Sequence, residues 1–287
     1  MPAPQFAVII PHYNDHERLI RCLKALMPQV GGDVEVIVVD NASEVDISHV
    51  RDAFPDVHFL TQPESGAGPA RNMGVAATRA HWLMFIDADC LPAPDWIAVG
   101  REIATEGTVI GGRVDVFHET PPPKSGAEAF EDVFAFKMQA YLDRDAFLGA
   151  GNLVLPRSLF EEVGGFRPAV SEDKEWSQRA ARAGYTLAFE DRFAAGHPSR
   201  QDWPALRHKW RRLAKEGFLL EAQGLKGRIL WIIKALLMPV SVLAHAGRVL
   251  RAGDLTGREK AAALGTLVRI RCARMVWMIR QAVTGEA

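Results

Sequence analysis

Short apolar runs alternate with amphipathic segments along the first 90 residues of the chain. Four apolar runs of strand length predict buried strands, at 6–10, 34–39, 57–60 and 82–86. Residues with helical spacing follow the first run, with Asn14 or Asp15 as the capping residue, and 69–80 predicts a second helix entered through a glycine-rich turn. Strands that alternate with helices predict βαβ units and a mostly parallel sheet.

The second half of the chain has a less regular pattern. It predicts strands at 109–117, 148–155 and 186–190, and helices at 127–142, 156–163 and 171–183. From about residue 203 the pattern is helical throughout, with two long stretches at 228–250 and 257–282. We therefore expect a catalytic domain over 1–205 and a helical tail over 206–287.

The composition is that of a globular protein, with 48% hydrophobic and 24% charged residues, which excludes disordered, collagen-like and disulfide-scaffold classes. The formal net charge of −1 hides an asymmetry, because residues 1–206 contain 18 Lys and Arg against 30 Asp and Glu, whereas 207–287 contain 16 against 5. Three scattered cysteines without a CxxC pair argue against a zinc site and fit a reducing compartment. No basic stretch precedes the first apolar run, which favours a strand over a signal peptide.

The basic tail carries tryptophans among its helical positions, namely Trp203, Trp210, Trp231 and Trp277. Basic amphipathic helices with tryptophan and leucine on one face bind anionic membrane surfaces. The stretch 229–247 approaches membrane-spanning length but contains Lys234 and Pro239. We expect peripheral membrane contact, and helices packed on the catalytic half or on a second protomer are the alternative. No nucleic-acid module is recognisable, so no nucleic acid partner is expected, and the oligomeric state stays open.

Polar side chains follow three of the predicted strands, at 12–15, 40–43 and 87–89. The carboxyl ends of parallel strands share one edge of a sheet, and ligands bind beyond that edge. Asp87 and Asp89 place two carboxylates on one strand end, and Mg²⁺ held with diphosphate oxygens suits such a pair. The alternative is an ordinary acidic strand end. A P-loop is excluded because the sequence has no GxxxxGK[ST] motif.

Seven short motifs follow one another along the chain. They are 8–14 (VIIPHYN), 36–43 (VIVVDNAS), 70–74 (ARNMG), 85–89 (FIDAD), 149–152 (GAGN), 164–166 (GGF) and 171–173 (SED). In order and spacing the set resembles the inverting family 2 glycosyltransferases over residues 5–200. The resemblance implies an α/β fold of the GT-A type, a nucleotide-diphospho-sugar transferase fold with a Rossmann-like mixed sheet, followed here by a C-terminal helical extension.

The resemblance also implies a set of donor-binding residues: Pro11, Tyr13, Asn14, Asp15, Asp40, Ser43, Gly66, Arg71, Asp87 and Ala88. In relatives the turn after the first strand cradles the base and ribose, and an aspartate at the place of Asp40 accepts the imide N–H of uracil. The glycine-rich turn lets a helix N-terminus approach the diphosphate, to which Arg71 adds a charge-assisted contact. The alternatives are that Asp40 caps a loop and that Arg71 is a surface residue.

The metal ligands implied by the resemblance are Asp87, Asp89 and His197, with Mg²⁺ or Mn²⁺ as the cofactor. The resemblance makes Asp173 the general base that deprotonates the acceptor hydroxyl, ahead of its neighbour Glu172. The alternative for these two carboxylates is a pair at the start of a helix, where acidic residues are favoured in any case.

Three further residues are assigned to sugar binding by the resemblance. Gly151 and Asn152 belong to a segment that lines the donor-sugar pocket in relatives. Trp176 follows the predicted base by one helical turn and is expected to form a stacking face for an acceptor sugar, with core packing as the alternative.

Together these features predict a metal-dependent, inverting glycosyltransferase that moves a sugar from a UDP-linked donor to a hydroxyl. The expected acceptor is a saccharide or a lipid-linked saccharide at the cytoplasmic face of a bacterial membrane. The chain is expected to be non-processive, because 207–212 (RHKWRR) does not match the QxxRW motif of processive relatives.

Three other functions stay open from the sequence. A polyprenyl-phosphate sugar transferase uses a lipid phosphate as nucleophile and needs no strong general base. A sugar-nucleotide nucleotidyltransferase is disfavoured because 11–14 lack a glycine-rich basic signature. A non-catalytic nucleotide-binding protein is disfavoured by the intact acidic motifs.

Overall fold

A computed structural model describes residues 4–167 and 171–286. The strands are β1 (Phe6–His12), β2 (Val34–Asp40), β3 (His58–Thr61), β4 (Trp82–Ile86), β5 (Leu91–Pro92), β6 (Thr108–Phe117), β7 (Asn152–Pro156) and β8 (Thr186–Pro198). The helices are α1 (His16–Leu26), α2 (Ser48–Ala53), α3 (Ala67–Ala76), α4 (Trp96–Ile103), α5 (Gly126–Phe134), α6 (Met138–Asp145), α7 (Arg157–Val163), α8 (Glu172–Arg182), α9 (Trp203–Glu221), α10 (Gly224–Arg251) and α11 (Gly257–Thr284).

The eight strands form one mixed sheet in the order β3-β2-β1-β4-β7-β6-β8-β5. The four strands nearest the N-terminus pair in parallel, with β1 between β2 and β4 and with β3 outside β2. Antiparallel pairing begins at β7, which lies between β4 and β6, and β5 pairs antiparallel with β8. The Rossmann-like mixed sheet expected from the sequence is thereby confirmed.

The central parallel strands β1 and β4 are almost entirely apolar because helices cover both of their faces. On β1, Val8 and Ile10 point into one buried cluster with helix α1, whereas Ala7 and Ile9 point into another with α7 and α8. All four side chains are fully buried. The continuous hydrophobic runs that predicted these strands are therefore the consequence of a two-sided core.

The chain forms two compact units. The first comprises the chain up to Asp115 and the segment Phe136–His197, and it contains the parallel strands. The second comprises Val116–Ala135 and the chain from Pro198 onward, and it contains α5 with the three long helices α9, α10 and α11. The expected division after residue 205 left α5 with the catalytic half, whereas the structure groups this helix with the C-terminal helices.

Two elements differ from their sequence-based predictions. The single helix expected over 127–142 is interrupted, because α5 ends at Phe134 and α6 begins at Met138. Phe136 adopts a left-handed backbone conformation with a φ of 50°, which an α-helix cannot continue through. The strand expected over 186–190 continues to Pro198 as β8.

Helix α10 exposes a wide apolar face in the second unit. Its exposed large apolar side chains are Leu225, Ile229, Leu230, Ile233, Leu236, Leu237, Val240, Leu243 and Leu250. At 3.6 residues per turn these positions share one side of the helix, opposite the buried Trp231 and Ala235. Among the described residues, α10 is the helix long and apolar enough to cross a membrane by length and composition, and an 18-residue window within it has a mean hydropathy of 1.9.

Candidate active site

The carboxylate of Asp40 lies at the end of β2 and is held by its neighbours. His12 Nδ1 is 2.9 Å from Asp40 Oδ1, because β1 and β2 pair in a register that sets these two residues side by side. Ser43 donates from its hydroxyl to Asp40 Oδ1 at 2.5 Å and from its backbone N–H to Oδ2 at 3.2 Å. The Asn14 N–H in turn donates to Ser43 Oγ at 2.8 Å. These bonds fix the two loops that follow β1 and β2.

The imidazole of His12 is neutral in this setting. Burial lowers the pKa of His12, and the hydrogen bond and charge of Asp40 offset only part of that effect. A neutral ring that donates from Nδ1 leaves Nε2 as an acceptor, and Nε2 is buried without a hydrogen-bond partner among the described residues. The hydrogen-bond partner of Asp40 on β1 is therefore a neutral imidazole.

The remaining residues expected around the nucleotide base have different environments. Tyr13 is 55% exposed and can present its ring to a ligand, whereas Pro11 lies within β1. Asp15 caps α1, where it accepts from the Arg18 N–H at 3.3 Å and forms an ion pair with the Arg18 guanidinium at 2.8 Å. The structure thus assigns a capping role to Asp15.

Three potential ligand groups cluster directly after β4. Ligand atoms of Asp87, Asp89 and Cys90 lie within 4.8 Å of one another. His197 joins them because β5 pairs with the end of β8, and its Nε2 is 3.4 Å from Asp89 Oδ2. Burial raises the pKa of the Cys90 thiol well above its usual value, and sulfur is a softer ligand than Mg²⁺ or Mn²⁺ prefers. Two carboxylates and an imidazole fit Mg²⁺ or Mn²⁺, which prefer oxygen ligands.

Arg71 connects this acidic cluster to the start of α8. Its Nη2 is 2.6 Å from Asp87 Oδ1, and its Nη1 is 3.2 Å from Glu172 Oε1. The residue is only 4% exposed, and its guanidinium lies 5.6 Å from the ring centroid of Phe166. The surface-residue alternative for Arg71 is therefore wrong. Gly151 also abuts the cluster, since a Cβ at this position would lie 2.5 Å from Asp87 Oδ2.

Asp173 follows Glu172 in the first turn of α8. Burial first and the negative charge of Glu172 second raise the pKa of Asp173 to about 6, against the opposing charge of the Arg71 guanidinium. Its Oδ1 accepts from the Lys174 N–H at 2.8 Å, and its side chain is partly exposed. A carboxylate with a raised pKa and access to solvent can accept a proton near neutral pH.

Asn152 does not face the site, and this corrects the expectation that it lines a sugar pocket. Its Nδ2 donates to the carbonyls of Phe193 at 2.8 Å and Arg113 at 3.0 Å, and its Oδ1 accepts from Trp96 Nε1 at 2.9 Å. The residue is 2% exposed. Its amide therefore joins strands and helix inside the fold and has no surface left for a ligand.

Trp176 is also turned inward, so the stacking platform expected for an acceptor sugar is wrong. The side chain is fully buried, its Nε1 donates to the Gly164 carbonyl at 2.8 Å, and its ring stacks on Phe160. Core packing, the alternative considered from the sequence, describes this residue.

Asn41 was missed by the sequence analysis although it orders the glycine-rich turn. Its Oδ1 accepts from the Gly66 N–H at 2.6 Å and its Nδ2 donates to the Glu64 carbonyl at 2.6 Å. Gly66 has a φ of 127°, which favours glycine, and α3 begins directly after it. The position of Asn41 beside Asp40 at a strand end was the available signal.

Ala88 lies buried between the two carboxylates of the acidic cluster.

The mixed α/β fold is that of GT-A type transferases. The model of the family described as "Glycosyl transferase family 2" matches residues 7–164. The chain belongs to this family and is a glycosyltransferase. It is 29% identical over 219 residues to "Glycosyltransferase AglE" of Haloferax volcanii, an alignment that covers 72% of this chain and 71% of that protein. It is 30% identical over 114 residues to "Succinoglycan biosynthesis protein ExoO" of Rhizobium meliloti, covering 36% of this chain and 33% of that one.

Solved structures share the fold at low sequence identity. "Mannosyltransferase PcManGT from Pyrobaculum calidifontis in complex with GDP-Man and Mn2+" superposes with a TM-score of 0.61 at 18% identity, covering 99% of this chain and 88% of that one. S. aureus TarS 1–349 in complex with UDP-GlcNAc has a TM-score of 0.53 at 15% identity, covering 98% and 92%.

Proposed function

We propose that the protein is an inverting glycosyltransferase that depends on a divalent metal and uses a nucleoside-diphosphate sugar. The observation that carries the proposal is the contact series Asp87–Arg71–Glu172, with His197 beside Asp89. It sets metal-capable carboxylates next to a carboxylate with a raised pKa at the carboxyl edge of a parallel sheet. A relative named a glycosyltransferase supports it, as do neighbours of the same fold that were solved with GDP-Man and Mn2+ and with UDP-GlcNAc.

We infer that Asp87, Asp89 and His197 hold Mg²⁺ or Mn²⁺. When bound, the ion supplies charge neutralisation for the diphosphate leaving group. Arg71 keeps Asp87 oriented, and Gly151 leaves room for that carboxylate. The excess of negative charge around one buried guanidinium favours a divalent cation in this place.

We assign Asp173 as the general base. In an inverting transfer, the acceptor oxygen forms a bond to the anomeric carbon as the bond from that carbon to the diphosphate breaks. The proton of the acceptor hydroxyl passes to Asp173, and the nucleoside diphosphate leaves on the opposite face. Glu172 raises the pKa of Asp173 and so strengthens it as a base.

A UDP-linked donor is our choice for the nucleotide. Asp40 is a buried carboxylate held by His12 and Ser43, and it suits the single N–H donor of the uracil imide edge. Guanine offers two N–H donors on one edge and is the competing base, since a neighbour of the same fold was solved with GDP-Man.

The acceptor is proposed to be a saccharide or lipid-linked saccharide at the cytoplasmic face of a membrane. The exposed apolar face of α10 and the excess of positive charge from residue 207 onward support peripheral attachment to anionic lipid. The polyprenyl-phosphate alternative does not need a general base, because a phosphate nucleophile carries no proton that Asp173 must remove.

Donor hydrolysis tests the proposal directly. UDP- and GDP-sugars are incubated with the full chain and Mn²⁺ or Mg²⁺, and release of the nucleoside diphosphate is measured. We expect one UDP-sugar to be hydrolysed only when metal is present, and Asp89→Asn to remove the metal-dependent rate. Release of the nucleoside diphosphate without metal contradicts the metal assignment. A GDP-sugar as the preferred donor contradicts the uracil assignment.

A further inference from the structure

Two arginines on α11 point into the helical unit and have no carboxylate partner in the part of the chain that the structure describes. Arg271 and Arg274 lie about one turn apart, on the same face of α11 as the buried Leu267 and Met278. Within residues 4–167 and 171–286, no carboxylate lies within 4.0 Å of either guanidinium. Arginines on an inward helix face are unusual unless they are paired.

The groups that these arginines do contact are neutral. The guanidinium carbon of Arg274 lies 4.7 Å from the ring centroid of Trp210 on α9, and Arg271 Nη1 donates to the Met238 sulfur on α10 at 3.6 Å. An aromatic face attracts a cation but accepts no strong hydrogen bond at the guanidinium edge. The Nε atoms of both arginines and the Nε1 of Trp210 are buried without a hydrogen-bond partner among the described residues. Three N–H donors on two helices of this unit therefore lack an acceptor.

Five acidic residues of this unit have partners other than Arg271 and Arg274. The pairs are Glu131 with Lys209, Glu216 with Arg212, Glu221 with Lys234, Asp132 with Lys124, and Glu259 with the cap of α11. Burial lowers the pKa of Arg274 to about 10, and the charge of Arg271 adds to this effect. The protein thus keeps two repelling, half-buried cations together and supplies no anion of its own from the described residues.

We propose that Arg271 and Arg274, with the N–H of Trp210, bind a phosphate group. Each planar guanidinium presents a fork of donors that matches two phosphate oxygens, and two forks with an indole N–H exceed what one carboxylate can satisfy. The phosphate belongs either to a soluble ion or ester or to an anionic lipid. The lipid source is favoured by position, because α10 carries both the Met238 contact and the exposed apolar face.

The test compares the full chain with two double variants of equal charge change. R271Q/R274Q removes the proposed site, whereas R258Q/R280Q removes two exposed arginines of the same helix. Melting temperatures are measured with inorganic phosphate and with chloride at equal ionic strength. Vesicles of phosphatidylglycerol and of phosphatidylcholine then test binding by co-sedimentation. Neither readout depends on the glycosyltransferase reaction.

We expect saturating phosphate to raise the melting temperature of the parent and of R258Q/R280Q by ~5 °C more than chloride does, and R271Q/R274Q to lose this difference. This result identifies a soluble phosphate source. Absence of that shift with loss of phosphatidylglycerol binding only in R271Q/R274Q identifies a lipid phosphate. The proposal is overturned if the parent shows neither the phosphate shift nor preferential phosphatidylglycerol binding. It is also overturned if the two double variants behave alike. If R271Q/R274Q fails to fold, the single variant Arg271→Gln replaces it in both measurements.

Discussion

Replacing Asp173 with asparagine is expected to stabilise the protein at neutral pH while it removes transfer activity. The folded protein raises the pKa of this carboxyl from 3.8 to about 6, mainly by burial. Between those two pH values the folded state binds more protons than the unfolded state, so the free energy of unfolding falls as the pH rises. Above pH ~7 Asp173 is ionised in both states, and the loss in free energy of unfolding is complete. The pKa shift of about two units corresponds to ~3 kcal/mol, which is an upper value for a partly exposed group.

Asparagine removes this cost because it carries no charge and can still accept from the Lys174 N–H. The variant should therefore exceed the parent in stability by up to ~3 kcal/mol at pH 8, or ~6–12 °C in melting temperature, and by almost nothing at pH 4. Urea unfolding at both pH values measures the difference. Asp145→Asn is the matched control with the opposite sign, because Arg144 lowers the pKa of Asp145 and that variant should lose stability at pH 8.

Transfer to an acceptor hydroxyl by Asp173→Asn should fall by ~10²–10⁴-fold at pH 8, the range that a general base contributes. Parent activity should also decline as the pH falls through about 6, where Asp173 becomes protonated. A variant that is no more stable than the parent at pH 8 refutes burial as the cause of the shift. A variant that is more stable but fully active refutes the base assignment and favours a phosphate acceptor.

Three other changes have outcomes that the structure defines. Gly151→Ala should weaken Mn²⁺ binding about tenfold in calorimetry, because its Cβ would lie 2.5 Å from Asp87 Oδ2; unchanged affinity would show that Asp87 is no ligand. His12→Phe should weaken UDP binding about tenfold by removing the hydrogen-bond partner of the buried Asp40, and an unchanged affinity contradicts that role. Leu243→Glu, at a side chain 83% exposed, should lower vesicle binding about tenfold without changing the melting temperature; equal binding argues against α10 as the contact.

The parallel half of the fold is predictable because its strands are buried on both faces. The apolar runs at 34–39 and 82–86 agree with β2 and β4 to within one residue, and no competing periodicity obscures them. The break between α5 and α6 is different. Helical spacing continues through 135–137, whereas the backbone of all three residues is non-helical, with Ala135 extended and Phe136 left-handed. A local pattern does not contain that information, because the break coincides with the change from one compact unit to the other.

The candidate site divides along similar lines. Asp40, Asp87 and Asp89 follow strands whose carboxyl ends share an edge, so topology alone predicted their proximity. The roles of Asn152 and Trp176 depend on which way a side chain points within a strand or helix, and here both point into the core. Spacing indicates that a residue belongs to a motif, but the partners of its side chain come from tertiary packing.

The contacts of Arg71 connect the charge at the proposed metal site to the pKa of the proposed general base. One buried guanidinium faces Asp87 on the donor side and Glu172 on the base side, and it lowers the pKa of Asp173 while both carboxylates raise it. A cation held by Asp87 weakens the repulsion that this carboxylate exerts on Asp173. Under the proposed function, loading of the metal therefore favours the ionised form of the base. With metal bound, Asp173 would be ionised over a wider pH range and would have a lower proton affinity, and Arg71 contacts both the donor side and the base side of the site.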